Sequence, residues 1–294
     1  MSLFEGIIAY PITPFATDEH ATIDTAALTA LIERLVTAGV HAIAPLGSTG
    51  ESAYLNETEF DTVVDTTVTA VAGRVPVIVG ASDLTTANTI RRARYAARAG
   101  AEAVMILPVS YWKLSDREIT RHYASVAAAI DIPIMAYNNP ATSGIDMRPQ
   151  LLVEMFEAID NLTMVKESTG DLSRMRAIAE LSDGRLPFYN GSNPLVFDAL
   201  DAGAAGWCTA APCLAPQPCL DLYTAIRAGD LATGRARYEQ LKPLLEFIVA
   251  GGLPTTIKAG LDILGTPAGD PRPPLLPLDD TGQAALRAIL DTTA

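Results

Sequence analysis

The chain has 294 residues, 49% hydrophobic and 19% charged, with a formal net charge of −13. A chain of this length and composition buries a sizeable core in one or two domains. The acidic balance leaves no basic stripe for nucleic acid, and the apolar runs are too short and too often broken by Gly, Pro or charge to span a membrane.

Met1-Ser2-Leu3-Phe4-Glu5 lacks a basic segment followed by a hydrophobic core, so no signal peptide and a cytoplasmic location are expected. Cys208, Cys213 and Cys219 fit no zinc spacing, and an odd number gives no disulfide framework. They read as small buried thiols, and no metal or cofactor is expected. His20, His41 (inside a strand) and His122 (on a helix) form no metal set.

Short β-type runs alternate with helix-period segments along the first three quarters of the chain. Strands are expected over residues 6–10, 40–44, 75–79, 103–107, 132–137, 162–166, 187–190 and 205–209. Most are almost continuously apolar, as strands buried on both faces are. The helix pattern at Leu28, Leu31, Ile32, Leu35 and Val36 has Asp24 as N-cap and Gly39 as C-cap. A second runs from Phe60 to Val71, closed by Gly73. A third runs from Thr86 to Ala99, ending at Gly100, and Asp83 before it reads as a helix cap. Ser115-Asp116-Arg117-Glu118 fits a capping box for the helix that reaches Ile130. Pro149 opens a helix to about Ile159, Asp171 or Ser173 one to Leu181, and Asn193 caps one that starts at Pro194 and ends near Ala202.

Eight β-then-α units in a row predict an α/β fold, a closed (β/α)8 TIM barrel spanning residues 1–219. An open doubly wound sheet is the competing arrangement, but no G-x-G-x-x-G follows the first strand and no Walker loop occurs. Beyond about Pro216 the strand signal stops. Residues 220–294 read as a C-terminal helical appendage with a possible assembly role, and Lys258 within it reads as structural.

In such a barrel the reactive residues sit at strand C-termini and in the loops that follow. The second strand leads into Gly47-Ser48-Thr49-Gly50-Glu51, a tight turn whose N–H groups and two hydroxyls suit a carboxylate, although an ordinary polar loop has the same look. The fifth strand ends at Tyr137, able to pass protons or simply to cap the barrel mouth. The sixth ends at Lys166, followed by Glu167-Ser168-Thr169-Gly170. Lysine occurs four times here against seventeen arginines. Arginine holds its proton, whereas a desolvated lysine can attack a carbonyl. Asn190-Gly191-Ser192 follows the seventh strand, with a bare backbone that a ligand can approach. A carboxylate cradle, a hydroxyl and an amine are the apparatus for 2-oxo acid chemistry through an iminium.

These motifs, with Tyr137-Asn138-Asn139-Pro140 and the tail's Lys258-Ala259-Gly260 and Pro273-Pro274-Leu275-Leu276-Pro277-Leu278, resemble the dihydrodipicolinate synthase/N-acetylneuraminate lyase family over essentially the whole chain. The resemblance implies that Lys166 forms the Schiff base and Tyr137 transfers protons. It implies that Ser48 and Thr49 hold the keto-acid carboxylate, with Thr49 also in the tyrosine relay. Tyr111 resembles the tyrosine that such enzymes lend across a subunit interface, although its offset from Pro108 differs from the synthase pattern. Gly47, Gly191, Cys208 and Thr142 complete the expected substrate-binding set. The implied partners are a small 2-oxo acid and an aldehyde-type or sugar-acid substrate, and the implied assembly is a homotetramer, a dimer of dimers.

One departure bears on the substrate. Synthases that use aspartate semialdehyde read Tyr-Asn-x-Pro-x-Arg-x-Gly, and Thr142 stands here in the arginine's place, removing the strongest partner for a second carboxylate. The reading is a Schiff-base lyase or aldolase with an unidentified partner. The alternatives are a dehydratase or deaminase of a deoxy-keto acid or cyclic imine, a synthase lacking that arginine, and a catalytically silent barrel used for sensing or scaffolding.

Overall fold

The structure is a computed structural model that describes residues 4–293. The expectation about an N-terminal leader rests partly on Met1, Ser2 and Leu3, which lie outside the described residues. Eight strands are present: β1 (Gly6–Ala9), β2 (Ala42–Ile43), β3 (Ile78–Gly80), β4 (Ala103–Ile106), β5 (Ile134–Asn138), β6 (Leu162–Glu167), β7 (Phe188–Asn190) and β8 (Gly206–Thr209). They follow one another in a single sheet in the order β2-β1-β8-β7-β6-β5-β4-β3. The register is parallel between β1 and β2 and at each step from β3 to β8. The fold is the (β/α)8 barrel that the alternation of elements predicts. All strand residues except Thr163 are buried, which is why their sequences are apolar on both faces.

The helices are α1 (Thr25–Ala38), α2 (Glu57–Val71), α3 (Thr86–Ala99), α4 (Asp116–Ala127), α5 (Pro140–Ser143), α6 (Pro149–Ala158), α7 (Leu172–Leu181), α8 (Val196–Asp201), α9 (Pro216–Arg227), α10 (Leu231–Ala250), α11 (Leu253–Ile263) and α12 (Asp280–Thr293). Their ends follow the capping residues. Asp24 accepts from Ala27 N–H, and Gly39 closes α1 with φ 100°. Ser115 and Glu118 form the expected capping box on α4. No helix among the described residues is long and apolar enough to cross a membrane.

The chain divides into two compact units. One comprises Val77–Cys208 with residues 4 and 5, and carries β3–β7, nearly all of β8, and α3–α8. The other joins Gly6–Pro76 to everything from Thr209 onward, so β1, β2, α1 and α2 share a unit with α9–α12. Within this second unit the Tyr10 N–H donates to the Thr209 carbonyl at 2.9 Å and the Ile43 N–H to the Pro76 carbonyl at 3.0 Å. These bonds extend the ladder beyond the β1–β2 pair on both sides.

Local expectations needed correction at several points. The strand expected over 75–79 begins only at Ile78, and Ala72 rather than Gly73 is the C-cap of α2. The strand expected over 40–44 shrinks to Ala42–Ile43, and His41 lies before it, exposed, with its Nδ1 accepting the Ile7 N–H at 3.1 Å. Asn193 does not cap α8. It opens a 3-10 turn, Asn193–Leu195, and its side-chain oxygen accepts the buried Trp207 indole N–H at 3.3 Å. Thr85 rather than Asp83 caps α3, while Asp83 pairs with Arg92 at 3.4 Å. The short helix α5 is not visible in the hydrophobic pattern, because four residues are too few to show a period.

Candidate active site

The register of β5 and β6 sets Tyr137 opposite Lys166, and that of β6 and β7 sets Lys166 opposite Tyr189. Lys166 is 5% exposed, and its Nζ lies 4.0 Å from the centroid of the Tyr137 ring. Tyr137 is 4% exposed, and its phenol oxygen accepts a hydrogen bond from Asn139 Nδ2 at 2.8 Å. An amine at a strand end is thus packed on an aromatic ring and shielded from bulk water. A lysine snorkelling from a strand end into solvent would be far more exposed than this.

Gly191 is the third member of the cluster. A Cβ there would fall 2.9 Å from Lys166 Cε and 1.9 Å from Ser168 Oγ, so any larger residue would collide with both. Its bare backbone makes room for the lysine stem, and its N–H donates to the Glu167 carbonyl at 2.8 Å. Ser168 Oγ is buried without a hydrogen-bond partner. A buried hydroxyl left unsatisfied is destabilising, and such a group beside an amine is a natural partner for a ligand oxygen.

Side chains alternate across a strand, so Glu167 points away from the face that Lys166 and Ser168 share. Glu167 is fully buried and accepts from Asn138 Nδ2 at 3.0 Å and from the Thr169 N–H at 2.7 Å, with Arg174 Nε 3.6 Å away. Asn138 also accepts the Met147 N–H at 2.9 Å. Arg174 reaches Asp146 at 2.6 Å and the Met147 carbonyl at 2.9 Å. This network fastens the C-terminal ends of β5 and β6 to the 145–147 segment and to α7. It fixes from behind the backbone that carries Tyr137 and Lys166.

The other expected residues of this unit lie as follows. Cys208 is buried on β8. Thr142 is exposed on α5. Tyr111 is 95% exposed beside Trp112 at 77%. Tyr111 therefore stands out from its own chain, in contrast to Lys166, Tyr137 and Gly191, which the structure brings together.

Gly47, Ser48 and Thr49 belong to the second unit, in the loop after β2. Gly47 and Thr49 are buried and Ser48 half-buried. The turn is tight: the Gly50 N–H donates to the Gly47 carbonyl at 3.0 Å, and a Cβ on Gly50 would fall 2.9 Å from Leu46 N. The Thr13 hydroxyl donates to the Gly50 carbonyl at 2.7 Å. Asn139 and Ser168 carry no separate signal in the sequence, since each lies inside a longer motif, Tyr137-Asn138-Asn139-Pro140 or Lys166-Glu167-Ser168-Thr169-Gly170.

A parallel barrel that carries a buried lysine and a tyrosine on adjacent strand ends defines a class of barrel enzymes with reactive groups at one mouth. The Dihydrodipicolinate synthetase family profile matches residues 3–293, and the chain belongs to that family. It is a lyase enzyme of that family. It is similar to 4-hydroxy-tetrahydrodipicolinate synthase of Methanoculleus marisnigri, 35% identical over 98% of this chain and 99% of the relative. Among solved structures it is similar to a protein from Pseudomonas aeruginosa described as a candidate dihydrodipicolinate synthetase, with TM-score 0.97, 54% identity and 99% coverage of both chains. It is also similar to YagE, a prophage protein of the same family from Escherichia coli K12 solved in complex with pyruvate, with TM-score 0.93, 28% identity and 99% coverage of both chains.

Proposed function

We propose that this enzyme forms a Schiff base between Lys166 and a 2-oxo acid such as pyruvate, and uses it for reversible aldol cleavage or condensation with an aldehyde or sugar-acid partner. The observation that carries the reading is the buried amine of Lys166 held 4.0 Å from the Tyr137 ring. Nζ gives up its proton and adds to the ketone carbon; the carbinolamine loses water to give the iminium. Loss of the proton from the substrate hydroxyl lets the neighbouring carbon–carbon bond break to the aldehyde, its electron pair passing to the iminium; the enamine is then protonated at carbon, and water hydrolyses the resulting iminium to release the 2-oxo acid and the free amine. Tyr137 is the residue proposed to carry protons in these steps, with Asn139 orienting its oxygen.

Ser48 and Thr49, with the turn around Gly47, are proposed as partners of the keto-acid carboxylate, on the family resemblance and on the chemistry of the loop. Gly191, Cys208 and Thr142 are proposed as substrate-facing positions. The unpartnered hydroxyl of Ser168 supports a second substrate that carries hydroxyl groups. The exposure of Tyr111 and Trp112 supports a homotetramer in which Tyr111 serves a neighbouring subunit.

A second reading is favoured by the names of the relatives: condensation of pyruvate with aspartate semialdehyde, carried out without the arginine that Thr142 replaces. A screen of hydroxylated 2-oxo acids for pyruvate release, run beside pyruvate consumption with aspartate semialdehyde, separates the two. Release from a hydroxylated 2-oxo acid supports the aldolase reading, and consumption only with the semialdehyde supports the synthase. Conversion of a deoxy-keto acid without free pyruvate would point instead to a dehydratase or deaminase.

A further inference from the structure

The loop that carries Ser48 and Thr49 is bounded by two left-handed residues that are not glycine, Leu46 at φ 62° and Glu51 at φ 55°. Residues with a Cβ hold that conformation only where the surroundings impose it. At Glu51 the surroundings come from the far end of the chain. One carboxylate oxygen of Glu51 lies 2.7 Å from Lys258 Nζ on α11, and the other accepts the Arg272 N–H at 2.7 Å. Glu51 and Lys258 are 1% and 2% exposed.

The segment that carries Arg272 is fixed as tightly. Lys258 Nζ also donates to the Asp270 carbonyl at 3.0 Å. The Arg272 guanidinium grips both oxygens of Glu59 at 2.8 Å and donates to the Ala21 and Tyr54 carbonyls. Phe15 packs against both cations, its ring centroid 3.9 Å from Lys258 Nζ and 4.4 Å from Arg272 Cζ. The Phe15 N–H donates to the Ala268 carbonyl at 3.0 Å, and a Cβ on Gly269 would fall 2.1 Å from the Phe15 oxygen. Two carboxylates, Glu51 and Glu59, face the two cations directly, and the Asp270 carboxylate adds a further negative charge near Lys258.

A buried ion pair is a weak source of stability, because hydrocarbon of the same shape does as well. What paired and hydrogen-bonded charges add here is a fixed direction for Glu51, and through it for the turn. We propose that Lys258, Glu51 and Arg272 are positioning residues for the 47–51 loop: the C-terminal segment locks the loop in the conformation in which it binds the substrate carboxylate. This rests on the reading above that Ser48 and Thr49 hold that carboxylate.

The test compares wild type with Lys258→Met, Glu51→Gln and the double variant. One readout is the pyruvate concentration that half-saturates borohydride-trapped adduct at Lys166, together with the maximal yield. The other is amide hydrogen exchange in peptides covering residues 46–54. Each folded single variant should raise the half-saturating concentration at least tenfold, keep the maximal yield, and speed exchange in the loop. The double variant should resemble the singles rather than multiply their effects. A folded single variant with wild-type half-saturation and wild-type loop exchange overturns the proposal. If wild type itself traps no 2-oxo acid, the Schiff-base reading fails, and unchanged loop exchange then overturns the positioning role separately. If Lys258→Met does not fold, Glu51→Gln, which keeps an acceptor for the Arg272 N–H, decides.

Discussion

Lys166 and Tyr137 are register partners on adjacent strands, and the lysine nitrogen lies 4.0 Å from the centroid of the tyrosine ring. On the proposed mechanism Tyr137 has two separable duties. Its ring packs against the amine, and its oxygen, which accepts from Asn139 Nδ2, is the group proposed to transfer protons. Tyr137→Phe keeps the first and removes the second. The variant should still trap a 2-oxo acid at Lys166, while turnover falls about 10²–10⁴-fold, the usual contribution of a positioned acid or base. Steady-state kinetics beside adduct yield checks this, and parallel loss of both would show that the hydroxyl is needed to form the adduct.

Gly191 is fixed by space rather than by flexibility. In Gly191→Ala the new methyl meets Ser168 Oγ and Lys166 Cε at 1.9 and 2.9 Å, so the lysine stem must move. Adduct formation should fall at least tenfold, and Ser168→Ala in the same chain should restore part of it by removing the nearer atom. Overpacking of this kind costs roughly 1–3 kcal/mol of stability, measurable by urea unfolding. No rescue by the second substitution would place the clash elsewhere.

Glu167→Gln tests the network behind the strand ends. The amide keeps the shape but turns a donor toward Asn138 Nδ2 or the Thr169 N–H, and leaves Arg174 with less countercharge. A loss of about 1–3 kcal/mol is expected from one mismatched buried group. Chemical denaturation measures it, and a change below a few tenths would mean that the network relaxes without cost.

The three thiols are buried. Burial pushes Cys213 up to about 12 and Cys219 well above its ordinary range, so neither supplies thiolate near neutral pH. A thiol-reactive chromogen at pH 8 should find little to modify in the native protein and three equivalents after unfolding. Rapid native labelling of all three would contradict the packing around β8 and α9.

The barrel was legible because strands buried on both faces are written as nearly unbroken apolar runs, and because Asp24, Gly39, Ser115 and Pro149 mark helix ends by local chemistry. Lys166 and Tyr137 were legible for the same reason: each closes such a run. The support around them was not. Asn138 and Glu167 belong to neighbouring strands but take their further partners from Asp146, Met147 and Arg174, and no spacing rule connects these. Asn193 looked like a helix cap because Asn-Pro is a cap signal, and only the position of Trp207 gives its side chain another partner. Glu51 and Lys258 lie in distant parts of the sequence, so the pair emerges only when the tail packs beside the loop after β2.

The most direct measurement is a borohydride reduction in the presence of pyruvate, followed by peptide mapping. The account predicts a single stable adduct on Lys166, absent from Lys166→Ala and undiminished by loss of any of the other three lysines except where Lys258 weakens pyruvate binding. No adduct with any 2-oxo acid, or an adduct on a different lysine, would contradict it.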